Sequence, residues 1–422
     1  MEKWVVTAKK ADFQGIGRKY GIDPVIARII RNRDITGDEA IEEYLNGTLA
    51  DIPSWKLLKD IDKAVEIISG KIDAGTKMRI IGDYDIDGVT ATYILLKGFK
   101  RLGANVDTYI PDRVADGYGI HDHLIKKAME DGIDTIVTCD NGISASSQIT
   151  YAKELGMTVV VTDHHEVPFT DNEEGRTYIL PPADAIINPK QADCTYPNKN
   201  ICGAVVAMKL VFALYEKYRL PEEEKEDFLE PAAIATVGDI MDLQGENRIL
   251  VKEGLARLPF TKNKGLKALI RAIGLEDQKI TSYDIGFRLG PCINASGRLD
   301  TAMRSLALLQ SEDEEEAAKL AGDLKALNDS RKALTEKGTE EAYKLIESSD
   351  LKNDRVMVVF LPECHESLAG IIAGRIREKY HKPTFVLTRG EKSLKGSGRS
   401  TENYSMYEEL VKCDSLLVQY GG

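Results

Sequence analysis

Four places in this sequence put carboxylates, or carboxylates with imidazole, after or inside an apolar run. MRII (78–81) leads into GDYDIDG, with Asp83, Asp85 and Asp87, and TIVT (135–138) leads into CDNG, with Asp140. TVVVT (158–162) leads into Asp163, His164 and His165, and Asp239 interrupts the apolar segment ATVGDIMDL. Singly, each has an ordinary account: an aspartate after a strand often caps the next helix, and a lone buried one is usually just hydrogen-bonded. That account would have to be invoked four times over. Carboxylates converging at one place repel one another and resist ionisation, and cations remove the conflict. Carboxylates with imidazole and no thiolate suit Mn²⁺ or Mg²⁺, and the imidazole tilts the choice toward Mn²⁺. Side chains two apart in an extended segment point the same way, which gives the alternation in DYDID a purpose. Room for two cations suggests phosphoryl chemistry, where metals ~3.5–4 Å apart share a carboxylate, generate hydroxide and clamp the attacking and leaving oxygens. Asp140 is the candidate for the shared ligand. If His164 binds metal, His165 points differently and can donate to a phosphate oxygen or a leaving group.

Such a constellation needs a scaffold that delivers distant residues to one place. Short apolar runs recur every ~25 residues with helical patterns between them. They are MRII (78–81), VDTYI (106–110), TIVT (135–138), TVVVT (158–162) and AII (185–187). Between them lie VTATYILLKGFKRLG, HDHLIKKAMEDG and SASSQITYAKELG, each ending near a glycine, a common helix stop. This alternation predicts an α/β fold with a parallel sheet covered by helices on both faces, whose ligands sit at the carboxyl ends of the strands. CGAVVAMKLVFALYEKY and PAAIATVGDIMDL read as buried helices. From about Asp313 to Ser348 the pattern is helical, charged and free of proline, and at ~1.5 Å per residue it spans ~50 Å. Gly322 and Gly338 leave one helix or two open. A second α/β pattern follows: VMVVF (356–360), a helix from about Ser367 to Tyr380, and TFVLT (384–388). The expected organisation is an N-terminal segment (1–65), a catalytic domain (66–310), a helical connector (311–352) and a smaller α/β domain (353–422).

A chain of 422 residues is long enough for two or more domains with sizeable cores. MEKWVVTAKK has no signal-peptide run, and no stretch approaches the ~18 apolar residues of a membrane span, so a cytoplasmic protein without a membrane partner is expected. Six scattered cysteines without a CxxC pair fit neither a disulfide framework nor a zinc site. The net charge of −12 argues by itself against a nucleic-acid partner. That average conceals a segment from Arg375 to Ser400, Glu391 and Lys392 included, with eight Lys/Arg and two acids, a local charge of +6. Alone, such a run reads as a solvated face.

GDYDIDG, CDNG, DHH and the later GD together resemble the DHH phosphoesterase superfamily. IPDRVADGYGIH, CGAVVAMKL, GPCINASGRLDTA, HESLAGIIAGRI and KGSGRS, in that order, resemble the RecJ family of single-strand-specific 5′→3′ exonucleases, from about Asp51 onward. The resemblance implies that Asp83, Asp85, Asp87, Asp140, His164 and Asp239 hold two divalent ions, manganese being favoured and magnesium the alternative. It implies that His165 contacts the scissile phosphate, with Arg298 and Asn294 facing it from the core. Ser397 and Arg399, with Arg113 and more weakly His365, would bind the strand near its 5′ end on a domain of the DHHA1 type. A cleft too narrow for duplex would select single strands, and the basic segment would fall on that DNA-binding module. The implied product is 5′-mononucleotides, and the implied setting is DNA repair and recombination. The implied partners are single-stranded DNA, a helicase and a single-strand-binding protein, and the implied state is a monomer. Two departures stand out: Cys292 occupies a position where the family usually has Arg, and the sequence ends at VQYGG, where relatives continue into a further motif and an OB-fold. Two rival readings remain: a DHH phosphodiesterase of short oligonucleotides or cyclic dinucleotides, and a non-catalytic DNA-binding scaffold.

Overall fold

The computed structural model describes residues 5, 7, 9–172, 175–390, 393–418 and 420. Glu391 and Lys392 of the basic segment, and Gln419, Gly421 and Gly422 of VQYGG, lie outside the described residues. The five apolar runs form five parallel strands: β1 (Met78–Ile81), β2 (Val106–Tyr109), β3 (Thr135–Cys139), β4 (Thr158–Thr162) and, after a short hairpin of β5 (Phe169–Asn172) and β6 (Gly175–Tyr178), β7 (Ala185–Ile187). The order is β2-β1-β3-β4-β7, with Met78 paired to both Val106 and Thr135. β1 and β3 are buried along their whole length, as strands covered on both faces must be, whereas β2 at the edge is half-buried. The chain leaves β1 for β2 on one side and returns to β3 on the other. The order therefore reverses between β1 and β3, and a crevice opens there, outside the carboxyl ends of the strands.

Helices Ile86–Arg101, Asp122–Glu130 and Ser146–Glu154 join the strands where the periodicity places them. Gly203–Lys217 and Leu229–Gly238 are buried nearly throughout, as helices apolar on every side must be. Three short helices, Phe13–Tyr20, Pro24–Asn32 and Asp38–Asn46, precede this core.

The chain divides into two compact units. One takes in Met1–Tyr109, Gly119–Lys262 and Asp277–Gly286; the other takes in Ile110–Tyr118, Asn263–Glu276 and Phe287–Gly422. The second unit contains a single 34-residue helix, Glu314–Glu347, capped by Asp313, whose carboxylate accepts from the N–H groups of Glu315 (3.0 Å) and Glu316 (2.8 Å). Gly338 does not break it. A Cβ there would fall 2.7 Å from Ile372 Cδ1, so glycine lets the helix Glu366–Tyr380 pack closely. That helix covers a sheet of β8 (Met357–Phe360), β9 (Thr384–Arg389) and β10 (Leu394–Arg399), parallel between β8 and β9 and antiparallel between β9 and β10. β10 was not anticipated. LKGSGR has no β-branched or aromatic residue, and it becomes a strand by pairing with β9. Among the described residues all six cysteines are free, and no helix is long and apolar enough to cross a membrane.

Candidate metal centre and nucleic-acid contacts

Asp83 and Asp85 follow β1. Asp85 is extended (φ −92°, ψ −179°) and caps the helix Ile86–Arg101, one oxygen accepting from the N–H groups of Asp87 (2.9 Å) and Gly88 (3.1 Å). The helix thus begins inside the motif, and Asp87 arrives from its first turn rather than from an extended segment; the alternation argument fails for this third aspartate. Asp87 is fixed by another helix start: its two oxygens accept from the N–H groups of Gly203 (2.6 Å) and Ala204 (2.8 Å). Asp140 follows β3 in the left-handed region (φ +61°), uncommon for a residue other than glycine. Its N–H donates to Thr162 O (3.0 Å), while the Asn141 side chain donates to Ile81 O (3.2 Å) and Cys139 O (3.0 Å), tying this turn to the end of β1. A Cβ on Gly203 would lie 2.7 Å from Asp140 Oδ1, so glycine is what lets the Gly203–Lys217 helix start against this carboxylate. Asp239 follows the last turn of Leu229–Gly238, and Ile240 after it is left-handed (φ +58°).

After β4, Asp163 organises its neighbours. Its Oδ1 accepts from the N–H groups of His164 (2.7 Å) and His165 (3.1 Å) and pairs with His165 Nδ1 (2.8 Å); its Oδ2 accepts from Ile143 N–H (2.9 Å). Burial pushes its carboxyl up, but the hydrogen bond and charge of His165 outweigh burial and hold it below the usual range. Sequence reasoning gave Asp163, Asn141 and Gly203 no role. The signal for the first was its place at the head of the triplet.

The six expected ligands meet. His164 Nε2 lies 3.1 Å from Asp140 Oδ1 and 3.6 Å from both Asp87 Oδ2 and Asp239 Oδ2. Ligand atoms of Asp83, Asp85 and Asp140 lie within 4.8 Å of one another, as do those of Asp87, His164 and Asp239 and those of Asp140, His164 and His165. Asp140 therefore belongs to sets on both sides of the cluster. The groups fit cations. Burial, and then the charges of Asp87, Asp85 and Asp83, hold the Asp140 carboxyl well above its usual range. Burial and the charges of Asp87 and Asp85 push Asp239 up to about 8, and its buried Oδ2 has no hydrogen-bond partner among the described residues. Burial lowers His164, which favours the neutral imidazole a metal requires. Burial opposes charge on His165 too, but the hydrogen bond and charge of Asp163, with Asp239 and Asp87, lift it to about 9.

The model of the DHH family, N-terminal domain, matches residues 77–236. The single-stranded-DNA-specific exonuclease RecJ of Escherichia coli is 35% identical over 420 residues, covering 95% of this chain and 70% of that protein. The chain belongs to the RecJ family. Among solved structures, RecJ from Thermus thermophilus in complex with Mn²⁺ superposes with a TM-score of 0.81 at 32% identity, over 97% of this chain and 56% of that one. The Mg²⁺ complex from the same organism gives 0.73 at 30% identity, over 97% and 54%.

Apart from His165, the residues that the RecJ resemblance assigns to DNA lie in the second unit, Asn294 and Arg298 included. These two sit one turn apart on the helix Gly290–Leu299. Arg298 Nη1 donates to Ser367 O (2.8 Å), and Ser367 Oγ lies 2.9 Å from Arg298 O and 2.7 Å from His365 Nδ1. Ser397 and Arg399 come from β10, the strand the periodicity missed. A Cβ on Gly370 would lie 2.8 Å from Arg399 Nη2 and 3.2 Å from Ser397 Oγ. Burial, and then the charges of Arg377 and Arg113, lower Arg399, which marks three guanidinium groups gathered near one another. Cys292 is buried; Asn328 Nδ2 donates to its sulfur (3.4 Å), and Arg331 Nε donates to Asn328 Oδ1 (3.0 Å).

Proposed function

We propose that this chain is a metal-dependent exonuclease that hydrolyses single-stranded DNA from its 5′ end and releases 5′-mononucleotides. The observation that carries this reading is the meeting of Asp83, Asp85, Asp87, Asp140, His164 and Asp239 at the β1–β3 crevice, with Asp140 common to both sides. Asp83, Asp85 and Asp140 would hold one divalent ion, and Asp87, Asp140, His164 and Asp239 the other, with Mn²⁺ favoured over Mg²⁺. Two such ions supply an activated hydroxide and neutralise charge on the phosphate. The chain's own residues do the rest. Asp163 holds His165 in its charged form and orients the ring through Nδ1, so that Nε2–H faces outward to a non-bridging oxygen or to the leaving O3′. The water oxygen bonds to phosphorus, the P–O3′ bond breaks, and the departing nucleotide keeps its own 5′-phosphate. Arg298 and Asn294 would grip the scissile phosphate; Arg113, Ser397 and Arg399 would grip the strand near its end. The wider setting proposed with this activity is a cytoplasmic monomer working in repair and recombination on strands supplied by a helicase and coated by a single-strand-binding protein.

The test is degradation of a 5′-phosphorylated single strand, with Mn²⁺ and with chelator, against the same sequence as duplex and against a dinucleotide. Mn²⁺-dependent release of mononucleotides from the long single strand is expected. Preference for the dinucleotide would favour the short-substrate phosphodiesterase, and DNA binding without cleavage would favour the scaffold.

A further inference from the structure

Ser367 joins two of the residues that the resemblance assigns to DNA, Arg298 and His365. Ser367 is only 8% exposed and stands in the first turn of the helix Glu366–Tyr380. It holds Arg298 twice: its carbonyl accepts from Arg298 Nη1 at 2.8 Å, and its hydroxyl reaches the Arg298 carbonyl at 2.9 Å. The same hydroxyl lies 2.7 Å from His365 Nδ1. Proton accounting favours one set of directions. A carbonyl oxygen only accepts, so the single hydroxyl proton goes to Arg298 O; the 2.7 Å contact then requires a proton on His365 Nδ1. Ser367 N–H also lies 3.3 Å from Nδ1, a helix-cap bond in which Nδ1 would accept, and this assignment gives up that longer bond for the two shorter ones. The alternative spends the hydroxyl proton on Nδ1 and leaves two oxygen lone pairs facing each other at 2.9 Å.

We infer that Ser367, backed by His365, is a positioning pair for Arg298. The pair's hydroxyl fixes the Arg298 backbone and so sets where the Ser367 carbonyl meets the guanidinium of a residue that the proposed function places on the scissile phosphate, and the inference rests on that reading for its catalytic consequence. A phosphate contact by His365 is then left to Nε2, because Nδ1 is committed to Ser367. A guanidinium held at Nη1 loses less freedom when it takes a phosphate, which is how preorganisation helps binding.

Two measurements test it. In a double-mutant cycle on a 5′-phosphorylated single strand, Ser367→Ala should lower kcat/KM about tenfold in the wild-type background, within the range for residues in direct contact. It should cost nothing further in Arg298→Ala, and Ser367→Thr should restore most of the loss. An equal loss in both backgrounds means that Ser367 does not act through Arg298 and overturns the proposal; unchanged Mn²⁺ affinity verifies that the variants are folded. The second measurement is independent of activity. In ¹⁵N-histidine NMR spectra, His365 should carry its proton on Nδ1, and Ser367→Ala should release it to a mixture of tautomers. A proton on Nε2 alone in the wild type overturns the pair. Should the wild type leave single strands intact, the exonuclease reading fails, and the spectrum still decides whether the positioning pair exists.

Discussion

Asp140 stands where two sets of candidate ligands overlap, in a left-handed turn and against a helix start that admits only glycine. Asp140→Ala should therefore abolish high-affinity Mn²⁺ binding measured by calorimetry. Gly203→Ala probes the same carboxylate without touching it, because the new methyl group would lie 2.7 Å from Asp140 Oδ1 and press it aside. A loss of about 10–100-fold in Mn²⁺ affinity is expected, as for other residues that orient a ligand; wild-type affinity would show that the approach is slack. The crowded carboxylates also set a pH dependence. Asp239 is pushed up to about 8 in the folded chain against an ordinary 3.8, and Asp140 moves the same way. Between these values the folded state keeps a proton that the unfolded state has lost, so the metal-free protein loses stability as pH rises from about 4 to about 8. A divalent ion takes the place of that proton. Thermal melts with Mn²⁺ and with chelator should show a larger gain from metal at pH 8 than at pH 5, and equal gains would refute the repulsion account.

At the scale of elements, the helix Glu366–Tyr380 organises the second unit's cationic groups. Ser367 holds Arg298, and one turn on, Gly370 leaves the space into which Arg399 and Ser397 fit. Gly370→Ala should separate stability from binding. Alanine favours a helix interior over glycine by about 1 kcal/mol, and the atoms it meets at this half-buried position are the ends of side chains, so the melting temperature should hold or rise. Affinity for single-stranded DNA, read by fluorescence anisotropy, should fall because the Arg399 guanidinium is displaced. A variant that binds normally would free Arg399 from this role. These elements also mark how far the sequence was legible. The five parallel strands were, because buried strands carry continuous apolar runs and the half-buried edge strand β2 keeps the same spacing, and with them came the place where the six candidate ligands meet. β10 was not: its Gly396 and Gly398 carry no strand propensity, and only tertiary pairing with β9 makes it a strand. The start of the helix at Ile86 was hidden as well, since Asp85 is both its cap and part of the ligand cluster. Gly203 and Asp163 escaped because their work is close packing and hydrogen bonding to a neighbour's backbone, neither of which leaves a periodic trace.

For the whole molecule, the charge balance has to be reconciled with the substrate. A net charge of −12 opposes a polyanion at long range, so affinity for DNA must come from local cations whose counterions are released on binding. Under the proposed function Arg399 would be one of these; it is depressed by burial and by Arg377 and Arg113, groups that would lose their mutual repulsion once a phosphate lay among them. The acidic metal cluster belongs to the other compact unit. The two kinds of site should therefore respond separately. Arg399→Ala removes one phosphate contact, and for single strands each such contact contributes about 0.7 to the slope of log affinity against log salt concentration. Binding of a single-stranded oligonucleotide should weaken at every salt concentration, with the slope shallower by about 0.7, while a Mn²⁺ titration remains that of the wild type. An unchanged slope would take Arg399 off the path of the strand and leave the basic segment as a solvated face. A change in Mn²⁺ affinity would mean that the arginine cluster and the metal centre are energetically one site.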